Sequence, residues 1–228
     1  PDEQRDLADH IRILLNVCNA VAFAHSRGIV HCDLKPGNVM IGSFGEVLVM
    51  DWGIARKIRE SQAPSFQDTS KPPPQQPLDP HETTEGTVMG TLAYMAPEQA
   101  QGRGSEIDAR TDVYCLGGIL YDILTGSPPH TGKTTHEILK KVRVGALVRP
   151  QDRNTTETIP AELDAVIMKA MAPEKRDRYP TVQAFQSDIR AYLEGHALDA
   201  ATYSPLQLLS KWVARNRKVC IAVASVVL

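Results

Sequence analysis

The sequence lacks four things: a Cys-x-x-C pair, a strong charge of either sign, an initiator methionine, and an unbroken apolar run as long as the twenty or so residues a bilayer span takes. Its four cysteines (Cys18, Cys32, Cys115, Cys220) are scattered, so neither a zinc site nor a disulfide framework is indicated. A reducing, cytosolic setting is the simplest expectation. Twenty-five basic against 27 acidic residues leave a net charge of −2, which gives no reason to invoke nucleic acid. No signal peptide opens the chain; it starts on Pro-Asp-Glu-Gln, and we expect a fragment whose beginning lies elsewhere. What is present is 228 residues, enough for one large domain or two small ones, with 42% apolar residues for a core and 23% charged residues for a solvated surface.

The chemistry concentrates in Ile29-Val30-His31-Cys32-Asp33-Leu34-Lys35-Pro36-Gly37-Asn38-Val39-Met40. Asp33 can accept a proton from a hydroxyl. Lys35, two places on, can neutralise charge on a transferring phosphoryl group. The amide oxygen of Asn38 suits Mg²⁺, which takes a few hard oxygen ligands and keeps its remaining waters. Pro36 stiffens the turn that aims them. A plain surface loop explains any one of these residues but not the set.

The string resembles the catalytic loop of protein kinases, His-Arg-Asp followed by Leu-Lys-Pro-x-Asn, in its serine/threonine version. Cys32 stands where most of that family has arginine. The resemblance continues along the chain. Asp51-Trp52-Gly53 is similar to Asp-Phe-Gly, which implies that Asp51 holds Mg²⁺ with Asn38 and that Gly53 lets the backbone turn. Gly90-Thr91-Leu92-Ala93-Tyr94-Met95-Ala96-Pro97-Glu98 resembles the end of the activation segment. It implies that Thr91 bonds to Asp33 and Lys35 and that Glu98 makes a buried ion pair with Arg178, which precedes Tyr179 as the family's arginine does. Asp112 in Asp112-Val113-Tyr114-x-x-Gly117 is implied to hold the catalytic-loop backbone; as an acidic residue in a first helical turn it also suits the helix dipole. Met40 is implied to underlie the adenine, and His31 and Trp52 to pack around the site.

Gly42-Ser43-Phe44-Gly45 looks like part of a glycine-rich phosphate lid, but Met40 stands where the lid needs a further glycine, and we read a hairpin turn between strands at Val39–Ile41 and Glu46–Met50. Helical spacing marks Leu7–Ser26, stopped by Gly28, and a helix capped by Thr111 and ended by Gly126. Three more helices are expected at Thr135–Val144, Glu162–Met171 and Thr181–Leu193. Between Arg56 and about Met89, a proline-rich stretch is expected to be extended, carrying candidate phosphorylation sites at Thr83, Thr84 and Thr87. A thiol at position 32 cannot pair with phosphate as arginine does, which implies weaker dependence on phosphorylation of this segment. Lys175 and Arg176 are expected to be solvated.

The fold expected is mainly α with a small β-hairpin, a kinase-like C-terminal lobe at residues 1–194 with no N-terminal lobe: no phosphate lid, no Val-Ala-x-Lys strand. Residues 195–218 read as a juxtamembrane linker. Residues 219–228 (Val219 to Leu228) read as the start of a membrane helix, with Lys211, Trp212, Arg215, Arg217 and Lys218 at a cytoplasmic interface. The resemblance, to bacterial receptor-type serine/threonine kinases, implies transfer of the ATP γ-phosphoryl group to protein hydroxyls with Mg²⁺ or Mn²⁺. It places the chain at the cell membrane as a single-pass protein. The rival is a membrane-tethered pseudokinase that only binds partners.

Overall fold

A computed structural model describes residues 6–57, 85–153 and 158–216. Helix α1 (Leu7–Ser26) is the axis of the fold. Asp6 caps it, its carboxylate accepting from the Asp9 amide at 2.8 Å, and Gly28 with φ +70 turns the chain out of it. Ile11, Leu14, Val17, Cys18 and Val21 form its buried face, each no more than 1% exposed. Among the described residues it is the one helix long and apolar enough to cross a membrane. Its apolar face is occupied by protein, packing on α4 (Ala109–Thr125) and α7 (Val182–Leu193), and α6 (Ala161–Ala170) closes the cluster against both of those. Such a helix is the core of a water-facing domain.

A smaller cluster sits beside this core. There α5 (Thr135–Arg143) packs on α2 (Glu85–Leu92) and α3 (Pro97–Ala100), with Ile138, Val142 and Ala100 buried among Met89, Leu92 and Met95. The strands are short and form two antiparallel ribbons: β1 (Ile29–Val30) with β4 (Arg56–Lys57), and β2 (Val39–Ile41) with β3 (Val47–Val49). In the second ribbon Val39 faces Val49 and Ile41 faces Val47. Val39, Val47 and Val49 pack against the core, while Met40 and Leu48 point outward. The Gly42 amide donates to the Glu46 carbonyl at 2.8 Å and Gly45 takes φ +86, so the Gly-Ser-Phe-Gly stretch is the hairpin turn expected.

The structure corrects several expectations. The cap of α4 is Asp108, whose carboxylate accepts from the Arg110 amide at 2.8 Å; Thr111 lies three residues into the capping box. Of the stretch from Arg56 to about Met89, residues 58–84, the proline-rich part among them, lie outside the described residues, and its end is helical from Glu85. Residues 195–203, the first part of the expected juxtamembrane linker, are tied to the domain: Leu198 is buried, and the amides of Asp199 and Ala200 donate to the buried Asp188 carboxylate at 2.7 and 2.9 Å. The rest of the expected linker contains an eleven-residue helix, α8 (Pro205–Arg215). Lys175 is tied to Asp108 at 2.9 Å rather than solvated, whereas Arg176 is exposed.

Candidate active site

The loop from β1 to β2 is held from beneath by Asp112, a carboxylate with no exposed surface near the start of α4. Its Oδ2 accepts from the His31 amide at 2.8 Å and its Oδ1 from the Cys32 amide at 2.9 Å. His25, at the end of α1, reaches the same Oδ2 through Nε2 at 2.7 Å. A buried carboxylate needs several donors, and these three provide them. They also hold Cys32 at φ +69, a left-handed conformation that costs about a kilocalorie or more for a residue with a Cβ. The Gln99 side chain adds a bond to the Cys32 carbonyl at 2.7 Å.

His31 locks the next residue. Its Nδ1 accepts from the Asp33 amide at 3.2 Å and its Nε2 donates to the Met50 carbonyl at 2.9 Å, so the partners fix the tautomer. Above it, Asp33 Oδ2 accepts from Lys35 Nζ at 2.9 Å and from Asn38 Nδ2 at 3.0 Å. Asn38 also donates to the Asp33 carbonyl at 2.7 Å, which assigns its nitrogen and turns its oxygen the other way. Lys35 has a second bond, to Thr91 Oγ1 at 2.6 Å, delivered by the end of α2.

Asp51 follows β3 after one residue, Met50. The Met50 amide donates to the Asn38 carbonyl at 2.9 Å, which sets Asp51 next to Asn38 across the ribbon. Asp51 is exposed and, at φ +59, is the second non-glycine residue held left-handed. A Cβ on Gly53 would stand 3.2 Å from its Oδ1, so glycine keeps that side of the carboxylate open. Trp52 packs on His31 with ring centroids 4.4 Å apart and donates to the Val49 carbonyl at 2.9 Å. Met40 stands on the outer face of the same ribbon, 45% exposed.

The donor set fits a hard cation shared with phosphate. Asn38 brings an amide oxygen and Asp51 a carboxylate, hard oxygen donors of the kind Mg²⁺ takes when substrate phosphates and water complete its shell. Among the described residues no group of three or more His, Cys, Asp or Glu side chains could hold a metal by themselves.

A second anchor lies behind the site. Arg178 donates to both oxygens of Glu98, at 2.9 and 2.8 Å, and both side chains are buried. The remaining guanidinium protons go to the carbonyls of Ala172, Arg110 and Pro173, and Thr111 donates to Glu98 Oε1 at 2.8 Å. Burial alone would push the Glu98 carboxyl up; the Arg178 and Thr111 bonds outweigh it and hold the group below the usual carboxylate range.

Residues 4–189 match the protein kinase domain family. The chain belongs to the protein kinase family. It is 37% identical over 205 residues (90% of the chain) to the "Probable serine/threonine-protein kinase PknB" of Bifidobacterium longum. It is likewise 37% identical over 194 residues (85%) to the serine/threonine-protein kinase PknD of Chlamydia abortus, and 37% identical over 179 residues (78%) to PknB of Mycobacterium tuberculosis. The matches span 27%, 20% and 25% of those relatives' own lengths, so the chain covers only about a quarter of the curated relatives it matches.

Within this kinase domain the structure brings Asp33, Lys35, Asn38 and Thr91 into one hydrogen-bonded group, sets Asp51 beside Asn38, and pairs Glu98 with Arg178. Thr83 and Thr84 lie outside the described residues, and of Thr87 only the backbone, in α2, is described. Residues 219–228 are outside them too. Sequence reasoning missed Gln99 and His25. His25 sits on the apolar face of α1 and reads as one more core position; nothing local marks it as a partner of Asp112, 87 residues on.

Proposed function

We propose that this domain supplies the catalytic-loop half of a serine/threonine protein kinase site. The P–O bond between the γ-phosphoryl group of ATP and ADP breaks, a phosphoester forms with a Ser or Thr hydroxyl, and the hydroxyl proton passes to Asp33. Asp33 orients the hydroxyl. Lys35, bridging Asp33 and Thr91, offers its charge to the transferring phosphoryl group. Asn38 and Asp51 hold Mg²⁺ or Mn²⁺, which when bound neutralises charge on the nucleotide phosphates. Met40, on the open face of the ribbon, lies under the adenine. The observation that carries this reading is the bonding of Asp33 to both Lys35 and Asn38 at 2.9 and 3.0 Å beside the Asp51 backbone turn.

The names of the relatives support hydroxyl-directed transfer, as does the lysine two residues after Asp33. The chain divides into a kinase C-terminal lobe, to which residues 195–203 are joined by their bonds to Asp188, followed by a membrane-proximal part ending in the apolar run 219–228. That run and its basic flank support a single-pass protein at the cell membrane with the lobe on the cytoplasmic side.

Asp33→Asn, in the protein carrying its nucleotide-gripping lobe, tests the assignment. Phosphate transfer to a protein substrate should fall by about 10²–10⁴-fold while nucleotide affinity is kept. Retained turnover would remove Asp33 from the mechanism. An unmutated protein that binds nucleotide and never transfers phosphate would favour the pseudokinase instead.

A further inference from the structure

Helix α8 is mounted the wrong way round for a helix in water. A surface helix normally turns its apolar stripe to the core. Here Lys211 faces the lobe: it pairs with Glu162 at 2.7 Å, donates to the His196 carbonyl at 3.1 Å and lies over the Tyr203 ring. Gln207 and Ser210 join it along a groove of about 450 Å³ against α6 and residues 200–203. Leu206, Leu208, Leu209, Trp212 and Val213 point outward, between 40% and 77% exposed. At 100° per residue they cover an arc of about 160°. The helix is well made at its start, since Ser204 accepts from the Gln207 amide and Gln207 returns the bond to the Ser204 amide at 2.8 Å. The exposure therefore belongs to a formed helix.

We infer that α8 lies in the surface of an anionic lipid bilayer, apolar arc down, as an interfacial helix. Charge selects this occupant. From Ser204 to Leu228 the sequence has Lys211, Arg215, Arg217 and Lys218 and no acidic residue. Arg215 borders the apolar arc next to Leu208 and Trp212, and a groove lined by His196, Lys211 and Arg215 opens at the same edge. Basic side chains beside a tryptophan-bearing apolar face suit lipid headgroups over acyl chains. The apolar run from Val219 follows directly, so the helix sits where the chain would meet the bilayer. A helix held by Lys211–Glu162 and Tyr203 and lying flat would fix the orientation of the kinase lobe to the membrane.

The proposal rests on the membrane reading above but is tested apart from it. In a Trp52→Phe background Trp212 is the sole tryptophan. The 228-residue protein is mixed with vesicles of phosphatidylcholine, alone or with roughly a third phosphatidylserine. With the anionic vesicles Trp212 emission should shift to the blue and be quenched more by shallow than by deep nitroxide lipids. Leu209→Ser/Val213→Ser should weaken this shift about tenfold or more in lipid concentration. Val223→Asp/Val226→Asp, which breaks the apolar run, should leave it in place. Vesicle binding with unmoved Trp212 emission, or a shift lost with the second variant alone, would assign the membrane contact to residues 219–228 and overturn the proposal. A lipid-free shift that grows with protein concentration and tracks dimer formation would assign the face to a second copy and overturn it as well.

Discussion

Glu98 and Arg178 are 80 residues apart and form a buried ion pair in the domain. Two charges taken out of water repay the cost only with full bonding, and here every guanidinium proton direction with a nearby acceptor is used. Arg178→Ala leaves a buried carboxylate without its partner and should cost about 3–5 kcal/mol in urea unfolding. The pH dependence has a definite sign. The folded Glu98 group ionises more readily than the unfolded one, so its contribution is complete above the ordinary glutamate pKa and is lost as pH falls through the lowered folded value. Glu98→Gln should flatten that acid limb. Cys32 is a simpler case. It is buried, its Sγ lies 3.6 Å from the Val30 carbonyl, and burial with the nearby Asp112 charge pushes the thiol up to about 12. Burial and the raised pKa favour the thiol over the thiolate at neutral pH, and the side chain contributes packing where the resembled family has arginine.

The elements were legible where one apolar face repeats at helical spacing. The limits of α1 follow from its pattern and Gly28; α5 and α7 depart from their expected limits by a residue at one end and α6 by a residue at each end. The β2–β3 ribbon follows from its alternation and its glycine turn. The misses have physical causes. Helix α2 contains Gly86 and Gly90, poor helix formers, and is set by packing on α5, which no local pattern announces. Helix α8 carries a Ser-Pro-x-Gln start signal, but its outward apolar face has no core to match, and the stretch reads as linker. Helices α4 and α6 meet closely at Gly117, where a Cβ would come within 2.8 Å of both Ala170 Cβ and Met171 Cγ. Met171 can swing away; Ala170 Cβ moves only with the α6 backbone. Gly117→Ala gains about 1 kcal/mol of helix propensity and loses about 1–3 kcal/mol to overpacking, so it should destabilise the lobe. Gly118→Ala, whose nearest contact is a 3.2 Å approach to the Tyr94 ring, should cost less. A lower urea midpoint for Gly118→Ala than for Gly117→Ala would show that the helices do not meet as described.

At the scale of the molecule, the site was legible because its polar groups are close in sequence: Asp33, Lys35 and Asn38 share one turn, and one hairpin returns the chain to Asp51. What holds that turn comes from Asp112, Gln99 and His25, and of these only Asp112 stands in a recognisable string. On the proposed reading the described residues carry the hydroxyl-facing group, Asp33, and the metal-facing groups, Asn38 and Asp51. Among the described residues there is no glycine-rich lid and no Val-Ala-x-Lys strand; the one Gly-x-x-Gly stretch is spent on the β2–β3 turn. The core around α1 is nonetheless large, with Ile11, Leu14, Val113, Leu116, Leu163, Ile167 and Phe185 all at 1% exposure or less. Positioning of the nucleotide is most of the catalysis in phosphoryl transfer, and on the proposed reading, in which residues 1–228 supply the catalytic-loop half of the site, that half alone should lose nearly all of the rate. Residues 1–228 expressed by themselves should therefore unfold in one cooperative urea transition yet transfer phosphate no faster than their Asp33→Asn variant. Fusion to a β-rich lobe bearing a glycine-rich loop and a strand lysine should raise the rate of the parent and not of the variant. Substantial turnover by residues 1–228 without that lobe would mean that the nucleotide is gripped by groups other than those assigned to it.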